Sequence, residues 1–155
     1  MNTYLWLKTI HIISSTVLFG TGIGIAYFKW AVDRRADVRA IRVVSERVVI
    51  ADWLFTMPAV IVQPLTGIAM ALEGGYPLFQ GWLAWSLALY VVAGACWVPV
   101  VWLQLQMREL ARFADAGNTE LDQRYWRYAR YWFGLGVPAF VALLIVYALM
   151  VFKPG

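Results

Sequence analysis

The chain is poor in the side chains that most often carry chemistry: it has one histidine, His11, and one cysteine, Cys96, among 155 residues. A single histidine excludes a bis-histidine haem and a multi-histidine metal centre within one copy of the chain. A single cysteine excludes an intrachain disulfide. The sequence also has no nucleophile–base pair, no phosphate-binding loop and no Cys/His metal spacing. Hydrolase and nucleotide-binding functions therefore have no support.

Charged residues are scarce as well, at 14% of the chain, whereas 62% of the residues are hydrophobic. A soluble domain is usually about 45–50% apolar, and a membrane-spanning helix needs about 20 mostly apolar residues. Four segments reach that length: about 4–27, 53–72, 82–102 and 132–152. Together they fill most of the chain, which we expect to be a single domain over residues 1–155. The first segment is too long for a signal peptide and lacks a cleavage pattern, so we expect a retained helix. Short loops then predict an all-α antiparallel four-transmembrane-helix bundle.

Basic residues are distributed unevenly between the loops. The loop at 73–81 contains none. The arginines fall after the first and the third span: Arg34, Arg35, Arg39, Arg42, Arg47, Arg108, Arg112, Arg124, Arg127 and Arg130. The positive-inside rule predicts that both arginine-rich loops are cytoplasmic and both termini outside. The mixed arginine and aromatic run at 124–132 is therefore interpreted as an interfacial belt, and we expect no binding of nucleic acid.

Three further patterns predict packing. Apolar residues at helical spacing in 33–51 indicate an amphipathic helix that leads into the second span. Lys29 and Asp52 lie near the cytoplasmic ends of two spans, where a salt bridge would relieve two costly charges. Glycines within the spans predict close helix packing, with approach to a flat cofactor or a homodimer contact as alternatives; they are Gly20, Gly22, Gly24, Gly67, Gly94, Gly134 and Gly136.

The isolated His11 is the main functional candidate, because an ionisable side chain within a membrane span is costly and usually functional. At a rise of about 1.5 Å per residue, His11 lies roughly 10 Å inside the outer end of its helix. The same depth on the other spans reaches Gln63 and Thr66, then Tyr90, then Tyr147. Since buried polar groups need partners, we expect these side chains to form a cluster with the imidazole.

Two interpretations of His11 remain open at this point. In the first, a neutral imidazole is hydrogen-bonded within the bundle and ties the first span to the second. In the second, the imidazole ligates haem iron. Lys8, one turn outward on the same face, would then pair with a propionate, and Met70 or Met150 could supply a sixth ligand. Gln63 and Thr66 would hold the imidazole in one tautomer.

Two family resemblances bear on this choice. The runs LKTIH at 7–11, QPLTG at 63–67, GVPAF at 136–140 and LMVFKP at 149–154 resemble the domain of unknown function 2269. That bacterial family of four-helix integral membrane proteins implies a fold and an inner (plasma) membrane location, but no activity. The opening K-x-x-H at 8–11 and the ending K-P at 153–154 are also similar to the HemJ family of membrane protoporphyrinogen oxidases, which implies haem b on His11. Residues 81–86 lack the histidine and lysine that the HemJ family has there, which counts against porphyrinogen oxidation.

The sequence thus predicts a haem-b-binding membrane protein with a redox or electron-transfer role and His11 as axial ligand. If it is an enzyme, we expect a haem-dependent membrane oxidoreductase. The alternative is a cofactor-free subunit or assembly scaffold of a larger membrane complex, which the many tryptophans and glycines and the few reactive groups suit. The lipid bilayer is the expected surrounding in either case, and a homo-oligomer is compatible with both.

Overall fold

The computed structural model of the chain describes residues 3–154, which form helices joined by short turns. The helices are α1 (Thr3–Asp33), α2 (Val38–Ala51), α3 (Met57–Glu73), α4 (Gly81–Ala116) and α5 (Gln123–Phe152). A π-helical turn, Asp52–Thr56, joins α2 to α3, so that Val38–Glu73 is one continuous helix. Residues 3–154 contain no strand. Four helices are long and apolar enough to span a membrane, which confirms the predicted all-α four-span architecture.

The helices are longer than the apolar segments within them. At about 1.5 Å per residue, the 36 residues of α4 extend well beyond a hydrocarbon core of about 30 Å. The excess lies at the end of the bundle that carries the arginine-rich turns, which we call the arginine-rich end; the opposite end, with both chain termini, is the termini end. The predicted span limits fall inside the helices because hydropathy marks the apolar stretch, whereas a helix ends where its backbone is capped. Asp122 caps α5 by accepting from the Arg124 backbone N–H at 2.7 Å.

The arginine-rich end contains the dense core of the molecule. Side chains from α1, α2, α4 and α5 pack there in one cluster, built from Ile25, Val32, Ile41, Val48, Val100, Leu103, Met107, Ala111, Tyr125, Ala129 and Trp132. The amphipathic α2 supplies Ile41 and Val48 to this core, as its spacing predicted. Its polar face is joined to α4 by salt bridges from Arg42 to Asp115 at 2.6 Å and from Arg112 to Glu46 at 2.8 Å.

The predicted Lys29–Asp52 salt bridge is wrong. Lys29 instead contacts both carboxylate oxygens of Asp33 at 2.6 Å. The hydroxyl of Tyr125 donates to the same carboxylate at 2.6 Å and accepts from the Lys29 ammonium. The prediction failed because α1 continues to Asp33, which places that carboxylate one helical turn from Lys29 on the same face.

The half of the bundle nearer the termini is more open. Close backbone packing joins α1 to α3 and α4 to α5, whereas α1 and α5 approach each other mainly through side chains. Phe19 of α1 stacks on Phe140 of α5 with 4.6 Å between ring centroids, and it meets the edge of Tyr147 at 5.4 Å. These ring contacts bridge the two helix pairs, and two cavities lie between the pairs.

The glycines do not pack helix against helix as predicted. A Cβ built on six of the seven would meet nothing within 4 Å: Gly20, Gly22, Gly24, Gly94, Gly134 and Gly136. Within the described chain these residues therefore border open space or the molecular surface. Gly67 is the exception, since its Cβ would lie 3.2 Å from the Cε1 atom of His11.

Candidate functional site

A cavity of about 400 Å³ lies between the two helix pairs in the termini half; we call it the His11 cavity. Its wall includes five of the six predicted site residues: Lys8, His11, Gln63, Met70 and Tyr147. The sixth, Thr66, is buried and lies behind the imidazole. Met150, the other methionine considered as a ligand, is also on the wall. The fold therefore brings the predicted site residues together around one cavity.

His11 is held by Thr66, as the sequence predicted. The Nδ1 atom of His11 lies 2.9 Å from the Oγ1 atom of Thr66, and the same hydroxyl donates to the Val62 carbonyl oxygen at 2.7 Å. A hydroxyl has one proton, so when Thr66 gives it to Val62, its oxygen must accept from an Nδ1–H group. The neutral imidazole then keeps its lone pair on Nε2. This ring nitrogen has no hydrogen-bond partner among residues 3–154 and is not among the enclosed polar atoms.

Gly67 provides the room for the imidazole. The 3.2 Å separation between a built Cβ and the Cε1 atom of His11 is tighter than ordinary van der Waals contact. The ring of His11 therefore packs directly on the backbone of α3, next to the residue that hydrogen-bonds it. Sequence reasoning assigned Gly67 to helix packing and missed this contact, although its position next to Thr66 in the chain was a usable signal.

Gln63 lies on the cavity wall, but its side chain bonds Ser14 and not His11. Its Oε1 atom accepts a hydrogen bond from the Ser14 hydroxyl at 2.6 Å. Ser14 also lies 3.1 Å from the His11 carbonyl oxygen. This second link between α1 and α3 was missed, although Ser14 follows His11 by three residues and so shares its helix face. The two hydrogen bonds fix the angle at which α1 presents His11.

Tyr90 does not join the cluster either. Its hydroxyl donates to the Val60 carbonyl oxygen at 2.7 Å. That carbonyl would normally accept from the residue four positions later, which is Pro64 and has no N–H group. Tyr90 therefore satisfies a carbonyl that Pro64 leaves unbonded and ties α4 to α3. The expectation that its hydroxyl contacts His11 is wrong.

Positive charge is present on the wall of the cavity, near the chain termini. Lys8 lies one turn outward of His11, and Lys153 follows the last turn of α5. The ammonium of Lys153 lies 5.3 Å from the ring centroid of Tyr76 and 5.7 Å from that of Trp82, so cation–π contacts hold it in place. The cavity thus combines a mainly apolar lining, one imidazole and two cations, which suits a largely apolar molecule with acidic groups.

These residues offer too few ligands for a bare metal ion. Within residues 3–154, no three His, Cys, Asp or Glu side chains come together. Any metal at His11 would need most of its ligands from another molecule, as iron has in a porphyrin.

Comparison with known proteins gives the family. The family described as a predicted integral membrane protein, domain of unknown function 2269, matches residues 5–154. The chain belongs to this family, and it is an integral membrane protein. No curated protein and no solved structure matches the chain, so the similarity to the HemJ family stays a prediction.

Proposed function

We propose that this member of the domain of unknown function 2269 family binds haem b, with His11 as an axial ligand, and has a redox or electron-transfer role. One observation carries the proposal: the single histidine lines a cavity of about 400 Å³, and its Nδ1 atom contacts Thr66, whereas Nε2 has no hydrogen-bond partner among residues 3–154. An imidazole with a free lone pair is the commonest protein ligand of haem iron.

The cavity residues fit the group in three respects. The volume of about 400 Å³ falls within the range of roughly 300–1,000 Å³ that is usual for cofactor sites. Lys8 and Lys153 would pair with the two propionates. Met70 or Met150, both on the wall, would offer a thioether as the second axial ligand.

The chain would contribute orientation and electrostatics. Thr66 would accept from Nδ1–H and so keep Nε2 free to bind a metal, in the way that outer ligands support a metal-bound histidine. Gly67 lets the ring lie against α3, and the Ser14–Gln63 hydrogen bond holds the two helices that carry these groups. Haem b supplies reversible one-electron chemistry when bound.

The proposal includes a location and an orientation. Arginines concentrate at one end of the bundle, which supports a bacterial inner membrane protein with that end in the cytoplasm and both termini outside. The His11 cavity, near the termini, would then serve a redox partner on the outer side of the membrane.

An absorption spectrum tests the proposal. The full chain is purified in detergent and titrated with haemin, and oxidised and reduced spectra are recorded. We expect a Soret band with saturable binding, lost in His11→Ala and weakened about 10–100-fold in Thr66→Val. Thr16→Val is the matched control, because the Thr16 hydroxyl bonds only the Ile12 carbonyl of its own helix.

A spectrum that does not depend on His11 would overturn the proposal. If wild-type protein and His11→Ala give the same spectrum in haemin, and both keep the helical circular dichroism of the folded chain, His11 binds no haem. Stable co-purification with other membrane proteins and no chromophore would instead favour the alternative, a cofactor-free subunit or assembly scaffold.

A further inference from the structure

A second cavity, of about 540 Å³, lies beside the His11 cavity and nearer the arginine-rich end; we call it the α1–α5 cavity. The two cavities share a partition whose residues are on both walls: Leu18, Phe19, Tyr90 and Leu143. His11 is not on the wall of the α1–α5 cavity, and neither is Lys8 or Lys153. Different residues therefore select what occupies this second space.

The α1–α5 cavity opens sideways, between the two helices that give it its name. Its wall includes well-exposed apolar and aromatic side chains on both of them: Ile23 and Tyr27 on α1, Val137 and Val141 on α5. These helices have little backbone contact with each other. Since the exposed apolar side of a membrane span faces lipid chains, the cavity is accessible from the bilayer.

The cavity suits a single acyl chain in both length and polarity. Its wall on α1 runs from Leu18 to Trp30, which at about 1.5 Å per residue is roughly 18 Å along the helix axis. This is slightly more than half of a hydrocarbon core about 30 Å thick, so it matches the chains of one leaflet. The polar side chains on the wall, Asp52, Thr56 and Gln104, are buried and present little surface to the cavity.

Glycines contribute the room for such a chain. Gly22, Gly94 and Gly136 come from three different helices, and all three are on the cavity wall. A Cβ at each would meet nothing within 4 Å. The missing side chains therefore leave a volume that the protein itself does not fill.

A cation lies at the end of the cavity where a lipid headgroup would be. Trp30 is the last residue of α1 on the wall, toward the arginine-rich end. The guanidinium of Arg34, one turn further along, lies over the Trp30 ring at 5.0 Å from its centroid. Such a cation–π contact restrains the guanidinium and leaves its N–H donors at the ring edge for an acceptor. Tryptophan and arginine at the end of a span are typical of the membrane interface, the level of the lipid headgroups.

The positive charge of Arg34 has no carboxylate partner within residues 3–154. The adjacent Asp33 is already bound by Lys29 and Tyr125. Salt bridges at this end use Arg42, Arg108, Arg112 and Arg124. The arginines that form none within residues 3–154 are Arg34, Arg35, Arg39, Arg47, Arg127 and Arg130. Unpaired basic residues beside a membrane attract anionic lipids, and a guanidinium fits a phosphate group particularly well.

We propose that the α1–α5 cavity binds one anionic phospholipid, with an acyl chain between α1 and α5 and the phosphate on Arg34. A zwitterionic lipid would gain less, because its headgroup carries its own cation. The bound lipid would fill the gap between the two helix pairs next to the partition with the His11 cavity.

Native mass spectrometry of the full chain, released from detergent micelles, tests this proposal because it counts the lipids bound to each molecule. The probes are dioleoyl phosphatidylglycerol, dioleoyl phosphatidylcholine with the same chains, and glycerol 3-phosphate, which has the phosphate but no chain. We expect one phosphatidylglycerol to bind at least tenfold tighter than phosphatidylcholine, and glycerol 3-phosphate not to bind. Equal affinities for the two lipids, or binding of glycerol 3-phosphate as tight as that of phosphatidylglycerol, would overturn the proposal.

Matched arginine variants separate a site from the general charge of this end. Arg34→Gln should weaken the binding of phosphatidylglycerol at least fivefold. Arg47→Gln is the control, because Arg47 is also exposed and without a salt bridge within residues 3–154, but lies on α2, which has no residue on the cavity wall. We expect it to change the affinity less than twofold. Equal losses in the two variants would mean that the charge acts diffusely, which would overturn the proposal.

Matched glycine variants test the position of the acyl chain. Gly136→Val should occupy part of the cavity and weaken the binding of phosphatidylglycerol at least fivefold. Gly134→Val is the control, because Gly134 also borders open space but is not on the cavity wall. His11→Ala should leave the lipid affinity unchanged, which separates this proposal from haem binding. Equal affinities of the two glycine variants would place the chain outside the cavity and overturn the proposal.

Discussion

The strongest stability prediction concerns the buried cluster of Lys29, Asp33 and Tyr125. Lys29 is 1% exposed and Tyr125 is fully buried. The ammonium contacts both oxygens of the carboxylate at 2.6 Å, and the phenol donates to one of them at 2.6 Å. Asp33→Asn keeps the size of the side chain and removes the charge that balances Lys29. Since breaking a buried ion pair leaves one charge uncompensated, we expect a loss of about 3–5 kcal/mol in the free energy of unfolding.

Companion variants separate the charge from the contacts. Lys29→Met combined with Asp33→Leu removes both charges, and we expect it to destabilise the protein far less than Asp33→Asn alone, because buried pairs replaced by apolar residues are often neutral. Tyr125→Phe leaves the ion pair and removes one hydroxyl, for an expected loss of about 1–3 kcal/mol. Glu109→Gln breaks a surface pair with Arg108 and should cost at most about 1 kcal/mol.

Reversible unfolding in mixed detergent micelles, followed by circular dichroism, measures all four variants on one scale. The order of stability is the critical result. Two results would refute the reasoning: Asp33→Asn within about 1 kcal/mol of wild type, or a double variant less stable than Asp33→Asn. Either would mean that Asp33→Asn does not leave Lys29 as an uncompensated buried charge.

Two further predictions use single contacts of the candidate site. Gly67→Val should push the ring of His11 off α3, which should lower the free energy of unfolding by about 1–3 kcal/mol and weaken any haem binding. Gly20→Val is the control, because a Cβ there meets open space. It should change neither the unfolding transition nor the haemin titration. Tyr90→Phe should cost about 1 kcal/mol by the same unfolding assay, because it leaves the part-buried Val60 carbonyl unpaired. That loss should shrink in a Pro64→Ala background, where the helix supplies its own N–H; an equal loss in both backgrounds would contradict the role given to Tyr90.

Depth in the membrane was predictable from sequence because the rise of a helix per residue is fixed. Counting inward from the span ends brought His11 level with Thr66, and the two side chains are hydrogen-bonded at 2.9 Å. The same count reached Gln63 and Tyr147, which line the His11 cavity. No detail of helix packing was needed to place these residues at one depth, since depth follows from helix length and direction alone.

Rotation about the helix axes was not predictable in this way. Gln63 and Tyr90 lie at the expected depth, but they bond Ser14 and the Val60 carbonyl instead of the imidazole. Which side chain faces which depends on the crossing of neighbouring helices, and that is set by packing over the whole length. The contact of Tyr90 was nevertheless predictable in part, because Pro64 has no N–H group and so leaves the carbonyl four residues earlier without its helical partner.

The cavities were least accessible to sequence reasoning, because they depend on which helices stay apart. The size of the cavities has an energetic consequence. In protein cores an empty cavity costs about 24 cal/mol for each Å³, so a volume of about 400 Å³ left empty would cost on the order of 10 kcal/mol. That is comparable with the whole stability of a typical domain, about 5–15 kcal/mol. In a membrane, lipid chains can enter from the bilayer and fill the apolar part of each cavity, which avoids this cost. Lipid chains offer no hydrogen bond to the imidazole of His11, so a ligand with polar groups is proposed for the His11 cavity in place of lipid alone.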